Sequence, residues 1–154
     1  MNELQSFYQL ASDFCKFVQE ETQSEETLDT LISFLMRLYL SAMALPQPKR
    51  EKERAQPRRT TPVEIRFQTD MQIRYREVFD PLEEGPPISY TLKGDLTDIV
   101  SGLQYGIEEY KSGLVGRAAF TWRHGSEFHW GNHAVDAIRV LHAMRRNRTV
   151  KTWG

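Results

Sequence analysis

The sequence contains little cysteine and no long apolar run. Cys15 is the only cysteine among 154 residues, which excludes a disulfide within the chain and is typical of a reducing compartment. It falls on the apolar face of a predicted helix, so we interpret it as a core residue rather than a nucleophile. No stretch approaches the roughly 20 apolar residues that span a bilayer. The first residues, MNELQSFYQL, also lack the basic start and apolar run of a secretory signal. We therefore expect a cytoplasmic protein without a membrane partner.

Charge of one sign is not in excess either. The chain has 20 Lys and Arg against 21 Asp and Glu, a formal net charge of −1, so no overall field favours nucleic acid. Strand-like alternation between hairpin turns and internal repeats are absent as well. Chains of this length most often form one domain with a proper core. We predict one helical-bundle domain over residues 1–145 and a basic C-terminal tail over 146–154.

Apolar residues spaced three and four apart predict about five helices. The second is apolar nearly all round, so we expect it near the middle of the bundle. The short connections imply antiparallel neighbours, which makes the predicted fold class an all-α, antiparallel, single-domain bundle. In chain order the predicted helices cover residues 2–22, 24–45, 63–79, 93–112 and 115–145.

The segment from Pro46 to Pro62 separates the second and third predicted helices. It has no apolar periodicity, and it carries six basic and two acidic side chains. This composition predicts a long flexible basic loop over residues 46–62. The segment is first interpreted as a solvated loop. The alternative is a patch for an acidic partner or nucleic acid, against which stands the lack of interleaved aromatic side chains for stacking on bases. The candidate partner-binding residues are Lys49, Arg50, Lys52, Arg54, Arg58 and Arg59.

The stretch from Trp122 to His142 holds all four histidines of the chain. His129 and His133 lie four positions apart, so on a helix one imidazole lies above the other and both can bind one divalent metal ion. Asp136 continues the same line. The alternative is that these groups hydrogen-bond within a polar part of the core, with Asp136 fixing a histidine tautomer. Gly131 predicts a slight kink in the helix.

Antiparallel packing of the fourth and fifth predicted helices would bring further carboxylates to these histidines. The start of the fourth helix would lie beside the later half of the fifth. Carboxylates with imidazoles can hold a metal ion that keeps an open position for water, which suits hydrolysis. No cofactor is predicted outright, a divalent metal is the one that these residues could bind, and no catalytic residue is assigned. The candidate ligands are His129, His133, Asp136, Asp95, Asp98 and Glu127.

Three motifs resemble a bacterial family of unknown function, DUF5063. They are Y-R-E-V-F-D-P-L-E at 75–83, G-D-L-T-D-I at 94–99, and W-R-H-G-S-E-F-H-W-G-N-H-A-V-D-A-I-R-V-L-H at 122–142. The resemblance implies a cytoplasmic helical fold and brings no activity. It also implies an aspartate where Gly102 stands and a tyrosine where Val100 stands, so a family site that uses this aspartate would be incomplete here.

The sequence lacks a recognised catalytic signature, which argues against an enzyme. We predict a small cytoplasmic helical protein of unknown activity that acts as a protein-interaction or regulatory module. The alternative is a metal-binding module or metal-dependent hydrolase that uses the His/Asp cluster between the fourth and fifth predicted helices. A third hypothesis is weak nucleic-acid binding through the basic stretches 49–59 and 145–151. The oligomeric state is left open.

Overall fold

The computed structural model describes residues 1–47 and 62–153, with the backbone alone described at 152–153. Within these ranges the chain forms five α-helices and one antiparallel pair of strands, so the predicted all-α fold class is confirmed with a small hairpin added. The predicted basic loop and its six candidate partner-binding residues lie outside the described residues, apart from the loop's ends. The elements are α1 Glu3–Glu20, α2 Leu28–Met43, β1 Arg74–Glu77, β2 Ile88–Thr91, α3 Leu92–Lys111, α4 Val115–Phe128 and α5 Trp130–Trp153.

The first two helices follow their sequence signals, with one correction. Asn2 caps α1 by accepting a hydrogen bond from the backbone of Gln5, in a reciprocal capping box. The buried face of α2 packs on the core, but its opposite face is open to solvent, so our expectation of a central α2 is wrong. Its outward stripe is exposed over Met36, Tyr39, Leu40 and Met43. More residues are buried on α3 than on α2, and α3 contacts α1, α4 and α5.

The predicted helix over 63–79 is absent. Residues 62–68 are extended, and Phe67 forms a parallel bridge with Gln23. The apolar residues here recur at every second position, at Val63, Ile65 and Phe67, which is the period of a strand rather than a helix. After a short turn, β1 pairs with β2 in the register Arg74↔Thr91 to Glu77↔Ile88. The hairpin leads directly into α3.

The long helix predicted over 115–145 is two helices. It breaks at His129, whose φ of −142° and ψ of −91° lie outside the helical region. A Cβ on Gly131 would overlap the carbonyl oxygen of Ser126, so only glycine fits this turn. The slight kink that we expected is therefore a full interruption. It lets the indole of Trp130 turn back and donate to the carbonyl of Trp122 at 3.1 Å.

Two fully buried tryptophans, Trp122 and Trp130, connect α3, α4 and α5. The indole N–H of Trp122 donates to the carbonyl of Leu103 in α3 at 3.0 Å. It approaches so closely because position 106 is glycine, where a Cβ would overlap the indole nitrogen. Phe7 of α1 packs against both rings, with centroids 5.0 and 6.2 Å away. This core fixes the start of α3 relative to the start of α5.

The last helix continues through the residues that we predicted as a basic tail. Arg145 donates to the carboxylate of Asp29 at 2.9 Å, and Arg148 donates to the carbonyl of Glu25 at 2.8 Å. These contacts bind the C-terminal half of α5 to the start of α2. In the described part of the chain, every helix is too short or too polar to cross a bilayer.

Candidate metal centre

Seven polar side chains meet where the hairpin leads into α3 and α5 begins. Thr91 caps α3 by accepting from the backbone of Gly94 at 2.9 Å, which places the carboxylates of the first helical turns beside α5. The described residues contain two groups of three side chains, and within each group the ligand atoms lie within 4.8 Å of one another. The first group is Asp98, His129 and His133, and the second is Glu77, Asp95 and Asp136.

Asp95 lies at the centre of this cluster and is fully buried. Its Oδ1 lies 2.7 Å from Nδ1 of His133. Its Oδ2 is also buried and has no hydrogen-bond partner among the described residues. The other ring nitrogen of His133 lies 3.4 Å from Oδ2 of Asp98, which also accepts from the hydroxyl of Tyr90 at 2.5 Å.

Three carboxyl groups of the cluster, those of Glu77, Asp95 and Asp136, hold their protons more tightly than usual. Burial and the neighbouring Asp136 raise the pKa of Glu77 from 4.5 to about 7. Burial raises the pKa of Asp95 from 3.8 to about 6, although His133 opposes this shift. Burial also raises the pKa of Asp136. The cluster therefore holds more carboxylates than its own positive charges can neutralise, which is the environment that a bound cation relieves.

The pKa values of His133 and His129 are shifted in opposite directions. The hydrogen bond that His133 donates to the carboxylate of Asp95 raises the pKa of His133. Burial and the neighbouring His133 lower the pKa of His129. At neutral pH His129 is therefore a neutral imidazole with a lone pair available to a metal ion. At His133 a proton and a metal ion would compete for the nitrogen that faces Asp98.

The structure brings together five of the six metal ligands that the sequence predicted. Asp95 and Asp98 do lie beside His133 and Asp136, as antiparallel packing of the helices required. Glu127 is elsewhere: it is exposed and pairs with Arg123 at 3.2 Å, because the break at His129 separates it from α5. Asp95, rather than Asp136, is the carboxylate that orients a histidine.

Sequence reasoning missed Glu77 and Tyr90. The sequence pattern places Glu77 in a helix that does not form, whereas Glu77 ends β1 and faces the cluster. Glu77 does lie within the first of the three motifs, so that motif was the signal that could have found it. Tyr90 lies opposite Tyr75 across the hairpin, and its pKa is raised to about 12 by burial and by Asp98. Its hydroxyl therefore remains a hydrogen-bond donor that orients Asp98.

A cavity of about 630 Å³ adjoins the cluster between the β1 end and α5. Glu77 and Asp136 line this cavity and also belong to the second ligand group. Three arginines and several apolar side chains complete its wall. The cluster is thus accessible from a space large enough for a small organic ligand.

Comparison with known proteins gives a family and nothing more specific. A family model described as "Domain of unknown function (DUF5063)" matches residues 1–147, so the chain belongs to this family. No curated protein and no solved structure matches the chain. The family resemblance read from the motifs is therefore confirmed, and it assigns no reaction.

Proposed function

We propose that this member of the DUF5063 family is a divalent-metal-binding protein whose centre activates water for hydrolysis. One ion is held by Asp98, His129 and His133, and a second by Glu77, Asp95 and Asp136. Both ligand sets lie at the junction of the hairpin, α3 and α5. The proposal develops the metal-binding alternative that the sequence suggested.

The observation that carries this proposal is the buried Oδ2 of Asp95. A buried carboxylate oxygen without a partner costs free energy, roughly 1–3 kcal/mol or more for a charged group. The hydrogen bond with His133 satisfies only Oδ1. A cation between Asp95, Glu77 and Asp136 would satisfy Oδ2 and neutralise the neighbouring carboxylates at once.

The ligand chemistry of the first group favours a transition metal, and Mn²⁺ also suits the second group, whose three ligands are all carboxylates. Imidazole nitrogens with carboxylate oxygens suit Mn²⁺, Fe²⁺ and Zn²⁺, whereas Ca²⁺ and Mg²⁺ prefer oxygen ligands throughout. The hydrogen bonds Asp95–His133 and Tyr90–Asp98 are the outer contacts that orient metal ligands in such centres. The protein thus supplies ligands and the groups that hold them in place.

A bound transition metal would supply a nucleophile at neutral pH by lowering the pKa of its water to about 7. The water oxygen would attack the electrophilic centre of the substrate and release a proton. This proton would pass to solvent through the cavity, because Glu77 and Asp136 would bind the second ion as deprotonated carboxylates. The leaving group would depart with the bonding electron pair and receive a proton from solvent.

Calorimetric titration with Mn²⁺ tests the proposal. We expect saturable binding of up to two ions per chain, and binding at least about tenfold weaker in Asp95→Asn. Asp29→Asn is the matched control, because Asp29 is an exposed aspartate that pairs with Arg145 far from the centre. Absence of saturable binding of Mn²⁺, Fe²⁺ and Zn²⁺ to the unmodified chain would overturn the proposal.

The protein-interaction role predicted from the sequence stands as a second candidate. Its basic segment lies outside the described residues, but the exposed apolar stripe of α2 favours it. Sedimentation equilibrium of the unmodified chain and of Leu40→Glu tests for self-association through this stripe. A dimer that the substitution dissociates supports an interaction role for this stripe, and a monomer at all concentrations in both samples contradicts self-association through it.

A further inference from the structure

We infer that the cavity between β1 and α5 binds an organic phosphate, namely a phosphate monoester of a flat, apolar organic group. The phosphate would lie against the metal centre and the organic group against the outer wall. This inference rests on the proposed function for the position of the phosphate. It goes further by naming the class of substrate.

The cavity and the metal centre share two side chains. Glu77 at the end of β1 and Asp136 on α5 belong to the second ligand group and also line the cavity. A ligand in the cavity is therefore next to any ion held by these carboxylates. A phosphate oxygen is a ligand that such ions accept readily.

Three guanidinium groups line the same cavity, from Arg76 on β1 and from Arg139 and Arg146 on α5. All three residues are exposed, and in the described part of the chain none forms an ion pair or a side-chain hydrogen bond. Arg123 and Arg145, by contrast, each pair with a carboxylate. Guanidinium groups bind phosphate through two parallel hydrogen bonds, which makes arginine the usual residue for phosphate recognition.

The spacing along α5 places its two cavity arginines in line with the metal centre. Asp136, Arg139, Ala143 and Arg146 follow one another at intervals of three and four residues, and all four line the cavity. They therefore form one stripe along the helix. The carboxylate of Asp136 comes first along this stripe, and the guanidinium groups of Arg139 and Arg146 follow. This order suits an anion that contacts the arginines and also a metal ion bound at Asp136.

The outer wall of the cavity is apolar and open to solvent. Val78 is 51% exposed, Phe79 is 87% exposed and Val135 is 48% exposed. Packing of a flat apolar group on a water-exposed aromatic ring beside a cavity is favourable, because it removes apolar surface from water. The ligand is thus expected to carry an organic group, since inorganic phosphate would leave this wall uncovered.

The charge of the wall distinguishes phosphate from carboxylate. Three guanidinium groups and divalent ions at the inner end offer more positive charge than one carboxylate can neutralise. A phosphate monoester is a dianion with three terminal oxygens, so it can contact the ions and the arginines together. The cavity volume of about 630 Å³ also lies within the range of small-ligand sites.

Calorimetric titration of the full chain with phenylphosphonate tests the inference, because its P–C bond is not hydrolysed. Benzoate and inorganic phosphate serve as comparison ligands, and each is titrated into Mn²⁺-loaded and EDTA-treated protein. The double variant Arg139→Gln/Arg146→Gln removes two cavity charges. Arg145→Gln is the matched control, because this neighbouring arginine faces Asp29 instead.

We expect phenylphosphonate to bind Mn²⁺-loaded protein at least about tenfold more tightly than either comparison ligand. The double variant should bind phenylphosphonate at least about tenfold more weakly, with an unchanged number of bound Mn²⁺ ions. Arg145→Gln should bind phenylphosphonate as tightly as the unmodified chain does. Phe79→Ser, at an exposed position, should weaken phenylphosphonate and leave inorganic phosphate unaffected.

The outcomes separate the two proposals. Mn²⁺ binding without phenylphosphonate binding, equal binding in the double variant, or equal binding of benzoate would overturn the cavity inference alone. Phenylphosphonate binding that depends on the arginines, in a chain that binds no Mn²⁺, would support the cavity site and contradict the metal centre. Equal phenylphosphonate binding with Mn²⁺ and with EDTA, in a chain that does bind Mn²⁺, would overturn the position given to the phosphate.

Discussion

Oδ1 of Asp95 lies 2.7 Å from Nδ1 of His133, although the two residues are 38 positions apart in the chain. This contact joins the first turn of α3 to the start of α5. It occupies one ring nitrogen of His133 and directs the other toward Asp98, 3.4 Å away. A carboxylate that orients a histidine in this way is the usual outer contact of a metal-binding imidazole.

Glu77→Gln should separate stability from metal binding. In metal-free protein at pH 8, Glu77 and Asp136 repel each other in a partly buried setting, since both pKa values are raised. The neutral amide removes this repulsion, so we expect the variant to unfold at an equal or higher urea concentration, by about 1 kcal/mol or less given solvent screening. Added Mn²⁺ should then stabilise the variant less than the unmodified chain.

Equilibrium urea unfolding with EDTA and with Mn²⁺ measures both effects. Glu83→Gln is the matched control, since Glu83 is exposed and lies outside both ligand groups. The prediction is wrong if Glu77→Gln destabilises the metal-free protein strongly, or if Mn²⁺ stabilises it as much as the unmodified chain.

The metal-free protein should lose stability as pH rises from about 4 to above 7. The pKa values of Asp95 and Glu77 are raised in the folded state, from 3.8 to about 6 and from 4.5 to about 7. The folded chain therefore binds more protons than the unfolded chain across this range, and the free energy of unfolding falls with pH. The raised pKa of His133 acts in the same direction, whereas the lowered pKa of His129 opposes it below its ordinary value of 6.5.

Mn²⁺ should reverse this trend. The ion binds deprotonated ligands, so its affinity and the stability that it adds both increase with pH. Thermal melts across the same pH range, with EDTA and with Mn²⁺, provide the comparison. Parallel curves in the two conditions would contradict a role of these groups as ligands.

Gly106→Ala should destabilise the fold by about 1–3 kcal/mol or more, as overpacked cores do. The added Cβ would overlap the indole nitrogen of Trp122 and displace its hydrogen bond to Leu103. Gly85→Ala is the matched control, because no atom lies within 4 Å of a Cβ at Gly85. Urea unfolding of the two variants tests this prediction, and equal urea midpoints would contradict the close packing of Trp122 on Gly106.

Cys15 should be inert in the folded protein. Its thiol is 6% exposed, and burial raises its pKa to about 12, so thiolate is scarce at pH 8. We expect an aromatic disulfide reagent to modify it at least about 100-fold more slowly in native protein than in urea. Rapid modification of the native protein would mean that α1 opens readily.

The helix count predicted from the sequence agrees with the structure through two errors that offset each other. The helix expected over 63–79 is an extended segment and a hairpin strand, and the helix expected over 115–145 is two helices. The first error arose from reading an every-second-residue pattern as helical. The second arose because the tight turn at Gly131 depends on contact with Ser126, which no periodicity reveals.

The candidate site was predictable only where it depends on helix packing. Asp95, Asp98, His133 and Asp136 meet because the start of α3 packs against the start of α5, and antiparallel packing of the fourth and fifth predicted helices already places these residues together. Glu77 joins them through the pairing of β1 with β2, a non-local contact that needs the hairpin to be recognised first. The arginine-lined cavity depends on the same hairpin.

The most direct test of the metal centre is X-ray diffraction from crystals of the Mn²⁺-loaded protein, with an anomalous difference map. The account predicts peaks within about 2.0–2.3 Å of ligand atoms, one in each of the two groups around Asp95 and His133. A map without a peak between α3 and α5 at full Mn²⁺ loading, or with peaks only at other carboxylates, would contradict it.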